Sequence, residues 1–248
     1  MKRASSQELF SGSVEEMAEQ AARLIIAEAH RAVAARGIFT LVLAGGSSPR
    51  PLYRLLASGT GQEALPWEHT RLFMGDERCV PAGSPDSNFR MIEESLFSTG
   101  CAPKSHCFRM EGELPDPAEG AGNYETAIRT FFTSSGLPIE DGFPLFDIIL
   151  LGLGEDGHTA SLFPGNPEVL KERERWVVAL DAPNGKPPGK RLSVTLPVIN
   201  HARCVVFITS GREKALLAAK IARGECSELP AALVAPQSGR LFWFTAQP

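Results

Sequence analysis

The chain has 248 residues, 43% of them hydrophobic, and a formal net charge of −4, enough apolar content and length for one domain with a sizeable core. That charge balance argues against binding nucleic acid or a membrane surface through bulk electrostatics, while allowing a local basic pocket. No apolar run is long enough to span a bilayer, and Met1 to Phe10 lacks the apolar centre of a secretory signal, so a cytosolic protein is expected.

In chain order, Ser13 and Glu16 form a capping box, and Val14, Met17, Ala21, Leu24, Ile25 and Ala29 recur at helical spacing until Gly37. Ile38 to Leu43 is a continuous apolar, β-rich run. It leads through Ala44-Gly-Gly-Ser-Ser-Pro49 into Leu52, Tyr53, Leu55 and Leu56 at helical spacing. A strand, a glycine loop and a helix in that order can cradle a phosphate: Gly45 and Gly46 allow close backbone approach, Ser47 and Ser48 add hydroxyls, and the helix start presents free N–H groups. A tight turn with Ser48 as a helix cap fits the same residues equally well.

Arg71 to Met74 reads as a strand running into the charged loop Gly75-Asp-Glu-Arg-Cys79. Its strand-end position marks Asp76 and Arg78 as site candidates, more than Glu77. Ser87 caps a helix through Phe97 that carries Asn88 and Arg90 in its first turn. Gly100 to Asp116 is an irregular excursion, and Tyr124, Ile128, Phe131 and Phe132 mark a helix ended by Gly136. Later strands are expected at Ile148 to Leu151, Trp176 to Leu180, Leu192 to Leu196, Cys204 to Thr209 and Leu241 to Phe244. A basic, proline-stiffened loop, Asn184 to Arg191, precedes the third of these, and a helix from Gly211 to Arg223 carries Lys214 in its first turn. Strands alternating with helices, without repeats or a composition shift, predict an α/β fold over residues 1–248. It is a single-domain, three-layer α/β/α arrangement with a mostly parallel, Rossmann-like sheet.

Cys79, Cys101, Cys107, Cys204 and Cys226 are odd in number, with no CxxC pair and no zinc-like spacing. Free thiols and no structural metal are expected.

The chemistry is expected in the stretch Phe146 to Gly165, where the strand ending at Leu151 feeds Gly152-Leu-Gly-Glu-Asp-Gly157 and then His158. This loop matches GxGxxG, with Asp181 ending the next strand. However, a pyrophosphate would meet Glu155 and Asp156 inside the loop, and Pro164 and Pro167 interrupt the segment where a crossover helix should begin, which disfavours a dinucleotide. The alternative is polar chemistry at a strand end, with His158 as general base and Asp156 beside it.

Together, Leu43 to Pro49 with Leu52-Tyr53, Asp76 to Arg78 with Ser87-Asn88, Leu151 to Gly165, and Pro187 to Pro197 resemble the 6-phosphogluconolactonases over almost the whole chain. These belong to a fold group that includes glucosamine-6-phosphate deaminase and ribose-5-phosphate isomerase. The resemblance implies cytosolic hydrolysis of a phosphorylated sugar lactone, 6-phospho-D-glucono-1,5-lactone, without metal or organic cofactor, by a monomer or weak homo-oligomer that binds neither nucleic acid nor membrane. It further implies a catalytic set of His158, Asp156 and Asp76. The substrate phosphate would lie on Gly45, Gly46 and Ser47, with Arg78, Arg191 and Lys214 as cations.

Two departures stand out: Leu192-Ser193 where the family usually has threonine, and Thr245 where relatives commonly carry aspartate, so the tail is given no catalytic part. Deaminases place a glutamate five residues after the histidine, where this chain has Phe163, and an Asp-Glu-Tyr type motif in place of Asp76-Glu-Arg78. A non-catalytic sugar-phosphate sensor is the remaining alternative, made less favourable by the lack of a basic helix-turn-helix extension.

Overall fold

The computed structural model describes residues 7–59 and 64–247. Strand β1 (Gln7–Gly12) leads into helix α1 (Val14–Arg36). The predicted capping box is present: the Ser13 hydroxyl accepts from Glu16 N–H at 3.1 Å, and the Glu16 carboxylate accepts from Ser13 N–H at 2.8 Å. Gly37 ends the helix in the left-handed region at φ 75°. β2 (Phe39–Leu43) is buried along its length, as a strand covered on both faces requires, and precedes α2 (Arg50–Leu56).

β3 (Thr70–Met74) passes through Gly75 into β4 (Asp76–Arg78). Ser87 caps α3 (Asn88–Ile92), its hydroxyl accepting from Arg90 N–H, and a π-helical turn continues to Phe97. β5 (Cys107–Phe108) is followed by α4 (Pro117–Ser134), then by the small hairpin β6 (Ile139–Glu140) and β7 (Phe143–Pro144), then by β8 (Ile148–Leu151). The chain continues through α5 (Pro167–Leu170), β9 (Val177–Ala182), β10 (Gly189–Val194), α6 (Leu196–His201), β11 (Cys204–Ser210), α7 (Arg212–Ala222) and β12 (Arg240–Ala246).

Seven strands form the central sheet in the order β1-β12-β11-β8-β2-β3-β5, and every neighbouring pair is parallel. Helices flank the sheet, as the alternating pattern predicts. From β2 the chain moves outward to β3 and β5, then returns to β8 on the other side of β2. The strand order therefore reverses between β2 and β8, and a crevice at the carboxyl ends of those strands follows from that reversal. Stacked and edge-on contacts among Phe73, Phe108, Phe131, Phe132 and Phe146 pack the core beside β3.

Four local expectations are corrected. Asp76–Arg78 is a strand, not a solvated loop: β4 pairs antiparallel with β10, which pairs with β9, giving a second, three-stranded sheet. The strands expected at Trp176 to Leu180 and Leu192 to Leu196 therefore lie outside the parallel sheet, and Leu196 opens α6 because Pro197 fits a helix's first turn. The excursion from Gly100 to Asp116 supplies the edge strand β5. β1, unanticipated, forms the opposite edge along β12.

All five cysteines are free, and burial pushes the Cys107 and Cys204 thiols up to about 12, which leaves them poor nucleophiles. No helix among the described residues is long and apolar enough to cross a membrane.

Candidate active site

A cavity of about 700 Å³ opens at the carboxyl ends of β2, β3 and β8, the crevice that the strand order creates. Gly45, Gly46, Ser47, Asp76, Arg78, Asp156, His158, Arg191 and Lys214 all line it. Five separate segments converge there, so these nine residues lie in the same cleft, while Glu77, the weaker candidate, is absent from its lining.

The loop after β8 presents the histidine. His158 Nδ1 lies 2.5 Å from Asp156 Oδ1, and the same oxygen accepts the His158 backbone N–H at 3.2 Å. A carboxylate at Nδ1 favours the tautomer with the proton on that nitrogen, which in the neutral imidazole leaves the lone pair on Nε2. Gly154 makes this geometry possible: a Cβ there would lie 2.1 Å from His158 Nδ1 and 2.5 Å from Asp156 Oδ1. Gly157, at φ 82°, supplies the left-handed turn between them. Phe163 packs its ring on the imidazole, with the centroids 4.4 Å apart.

Asp76 is held by two elements. Asn88 Nδ2 donates to Asp76 Oδ1 at 3.1 Å and to the Asp76 carbonyl at 3.0 Å, while Ser161 Oγ donates to Asp76 Oδ2 at 2.6 Å. Glu77 points away from the cleft lining and does structural work. Its carboxylate accepts the backbone N–H groups of Arg78, Asn88 and Phe89 and the Ser87 hydroxyl, tying the start of α3 to β4. Burial raises the Glu77 pKa against the opposing pull of these donors.

The cations line the other walls. Arg78 and Arg191 sit opposite each other in the β4–β10 register. Arg78 donates to the Asp86 carbonyl, and Arg191 donates to those of Pro187 and Lys190. Among the described residues, none of Arg78, Arg191 and Lys214 enters an ion pair. Burial, then the neighbouring Arg78, pulls the Arg191 pKa below its ordinary value. An anion entering the cleft relieves that repulsion. Lys214 lines the cleft from the first turn of α7.

Ser48 does not cap α2. The N-cap position is Pro49, without a side-chain bond, and Ser48 Oγ instead lies 3.0 Å from Ser210 Oγ and accepts Ser210 N–H at 3.2 Å, linking the loops after β2 and β11. The sequence reading missed Ser161, Ser193, the clamping role of Asn88 and the capping role of Glu77. Ser87-Asn88 beside a charged strand end was the one usable signal for the last two.

The profile described as "Glucosamine-6-phosphate isomerases/6-phosphogluconolactonase" matches residues 12–243. The chain belongs to this family. Within the glucosamine-6-phosphate isomerase/6-phosphogluconolactonase family it is 41% identical to a 6-phosphogluconolactonase of Synechocystis over 220 residues, covering 88% of this chain and 85% of the relative. It is 38% identical to the human 6-phosphogluconolactonase over 97% of this chain and 88% of the relative. The crystal structure of 6-phosphogluconolactonase from Thermotoga maritima superposes with a TM-score of 0.81 at 29% identity, over 97% of this chain and 100% of the other. A monomeric glucosamine-6-phosphate deaminase shares the fold at a TM-score of 0.77 and 21% identity.

Proposed function

We propose that this protein hydrolyses 6-phospho-D-glucono-1,5-lactone to 6-phospho-D-gluconate, the lactone-opening step of the oxidative pentose phosphate pathway, with the whole chain acting as one catalytic unit. It is a carboxylic ester hydrolase. The observation that carries the reading is the His158–Asp156 pair at 2.5 Å, placed in one cleft with three cations that enter no ion pair among the described residues.

A lactone needs a positioned water, a base for its proton, and stabilisation of the oxyanion formed at C1. His158 Nε2 takes a proton from water as the water oxygen bonds to C1 and the carbonyl electrons move onto oxygen. Asp156 holds the imidazole in the required tautomer and stabilises the imidazolium that forms. The oxyanion collapses, the bond from C1 to the ring oxygen breaks, and the ring oxygen takes the proton from His158. The new carboxylic acid then releases its own proton to solvent.

The phosphate lies on Gly45, Gly46 and Ser47. Arg78, Arg191 and Lys214 supply the positive potential that an acidic protein needs to hold an anionic sugar. Phe163 against His158 disfavours deaminase chemistry at the same site, because ring opening lacks its carboxylate there.

The test is to generate the phospholactone in situ and follow acid release with and without the protein. Acceleration over spontaneous hydrolysis, with no ammonia from glucosamine 6-phosphate, is expected. Acid release at the protein-free rate contradicts the reading.

A further inference from the structure

The turn that follows His158 is fastened at a point with no assigned role. Ser161 Oγ donates to Asp76 Oδ2 at 2.6 Å, and Ser161 N–H donates to Ser193 Oγ at 3.2 Å. Ser193 stands opposite Asp76 in the β4–β10 register, so one serine grips both strands of that ribbon. Ser161 and Ser193 are 1% and 0% exposed, so a hydrogen bond lost here leaves a largely buried partner unsatisfied.

The chain between His158 and Ser161 is tight. Thr159 and Leu162 bridge each other, Thr159 Oγ1 donates to the Gly152 carbonyl at 2.9 Å, and Ala160 is held at φ 46°, a left-handed conformation that alanine does not favour. A non-glycine residue stays there only when its neighbours impose it. The fixed points on either side are the Thr159 bonds and the Ser161 clamp.

Resting on the lactonase reading, we propose that Ser161 is a positioning residue. Its hydrogen bonds to Asp76 and Ser193 set the distance between the His158 imidazole and the ribbon that carries Arg78 and Arg191. The base lies on the loop after β8 and the two arginines on β4 and β10, and the Ser161 hydrogen bonds are the buried link between them, beside an exposed Lys186–Glu155 contact at 3.4 Å. In this arrangement both Asp76 carboxylate oxygens are engaged by protein donors, Ser161 at one and Asn88 at the other, which holds Asp76 as an anchor of the site.

The test compares wild type, Ser161→Ala, Asp76→Asn and the double variant in the acid-release assay, with a thermal melt to confirm folding. Ser161→Ala should lower kcat roughly 10- to 100-fold, as a misplacement of about an ångström does, while KM stays within about 2-fold. In the Asp76→Asn background the same substitution should cost much less, and Ser161→Thr, which keeps the hydroxyl, should recover part of the rate. A kcat of Ser161→Ala within about 2-fold of wild type overturns the proposal, as do losses that simply multiply in the double variant. If wild type itself fails to accelerate acid release, the lactonase reading falls. The clamp is then judged from the His158 imidazole nitrogen resonances, which move in Ser161→Ala if it holds the ring and stay in place if it does not.

Discussion

Gly45 and Asn88 share a space that admits one side chain: a Cβ on Gly45 would fall 2.1 Å from Asn88 Oδ1. Asn88 cannot retreat without releasing Asp76, to which it donates twice. Gly45→Ala should therefore displace the phosphate loop or break the Asn88–Asp76 contact. A KM raised at least about 10-fold is expected, with stability lowered by about 1–3 kcal/mol, the usual result of forcing extra volume into a packed site. Steady-state kinetics and urea unfolding measure the two effects.

Asp156→Asn replaces the acceptor at His158 Nδ1 with an amide that can donate, which favours the tautomer lacking a free Nε2 lone pair. The expected result is a fall in kcat of about 10²-fold or more, within the range that general-base assistance supplies, with KM nearly unchanged. Single-turnover rates would show whether the loss lies in the chemical step.

Arg191→Ala and Lys214→Ala each remove one cation from the proposed phosphate pocket. Phosphate is bound in ground and transition states alike, so the loss should appear mainly in KM. A charge-assisted hydrogen bond is worth about 1.5–3 kcal/mol, or roughly 10- to 150-fold in KM. Inorganic phosphate should inhibit both variants more weakly than wild type. A wild-type KM in either variant removes that residue from the pocket.

Glu172 offers a stability test remote from the cleft. Burial works to raise its pKa but is outweighed by the N–H groups of Glu174 and Arg175, the Arg175 side chain and Arg173 N–H, which lower it from 4.5 to about 2. A depressed carboxylate contributes stability above its unfolded pKa and loses that contribution as pH falls through the folded value. Glu172→Gln should thus be less stable than wild type near pH 7, by about 1 kcal/mol once solvent screening is allowed for. The gap should close between about pH 4.5 and 2. Denaturant titrations at pH 7 and pH 3 measure it.

Much of this architecture was legible where the determinants are local. Ser13 with Glu16, the apolar run before Gly45, and the glycines around Asp156 and His158 each announce their geometry within a few residues. The elements missed depend on distant partners. Asp76, Glu77 and Arg78 have the composition of a solvated loop, and they form a strand because β10 pairs with them. β1 is mostly exposed and shows no apolar alternation, so only its pairing with β12 reveals it. Ser161 and Asp76 are 85 residues apart. An ordinary serine gives no local sign of such a contact.

The central claim is that His158 is the base, and the most direct measurement is the rate of acid release from in situ phospholactone by His158→Asn against wild type and a protein-free control. A loss of about 10²- to 10⁴-fold in kcat, with substrate binding retained, is predicted. Turnover of His158→Asn at the wild-type rate would contradict the account.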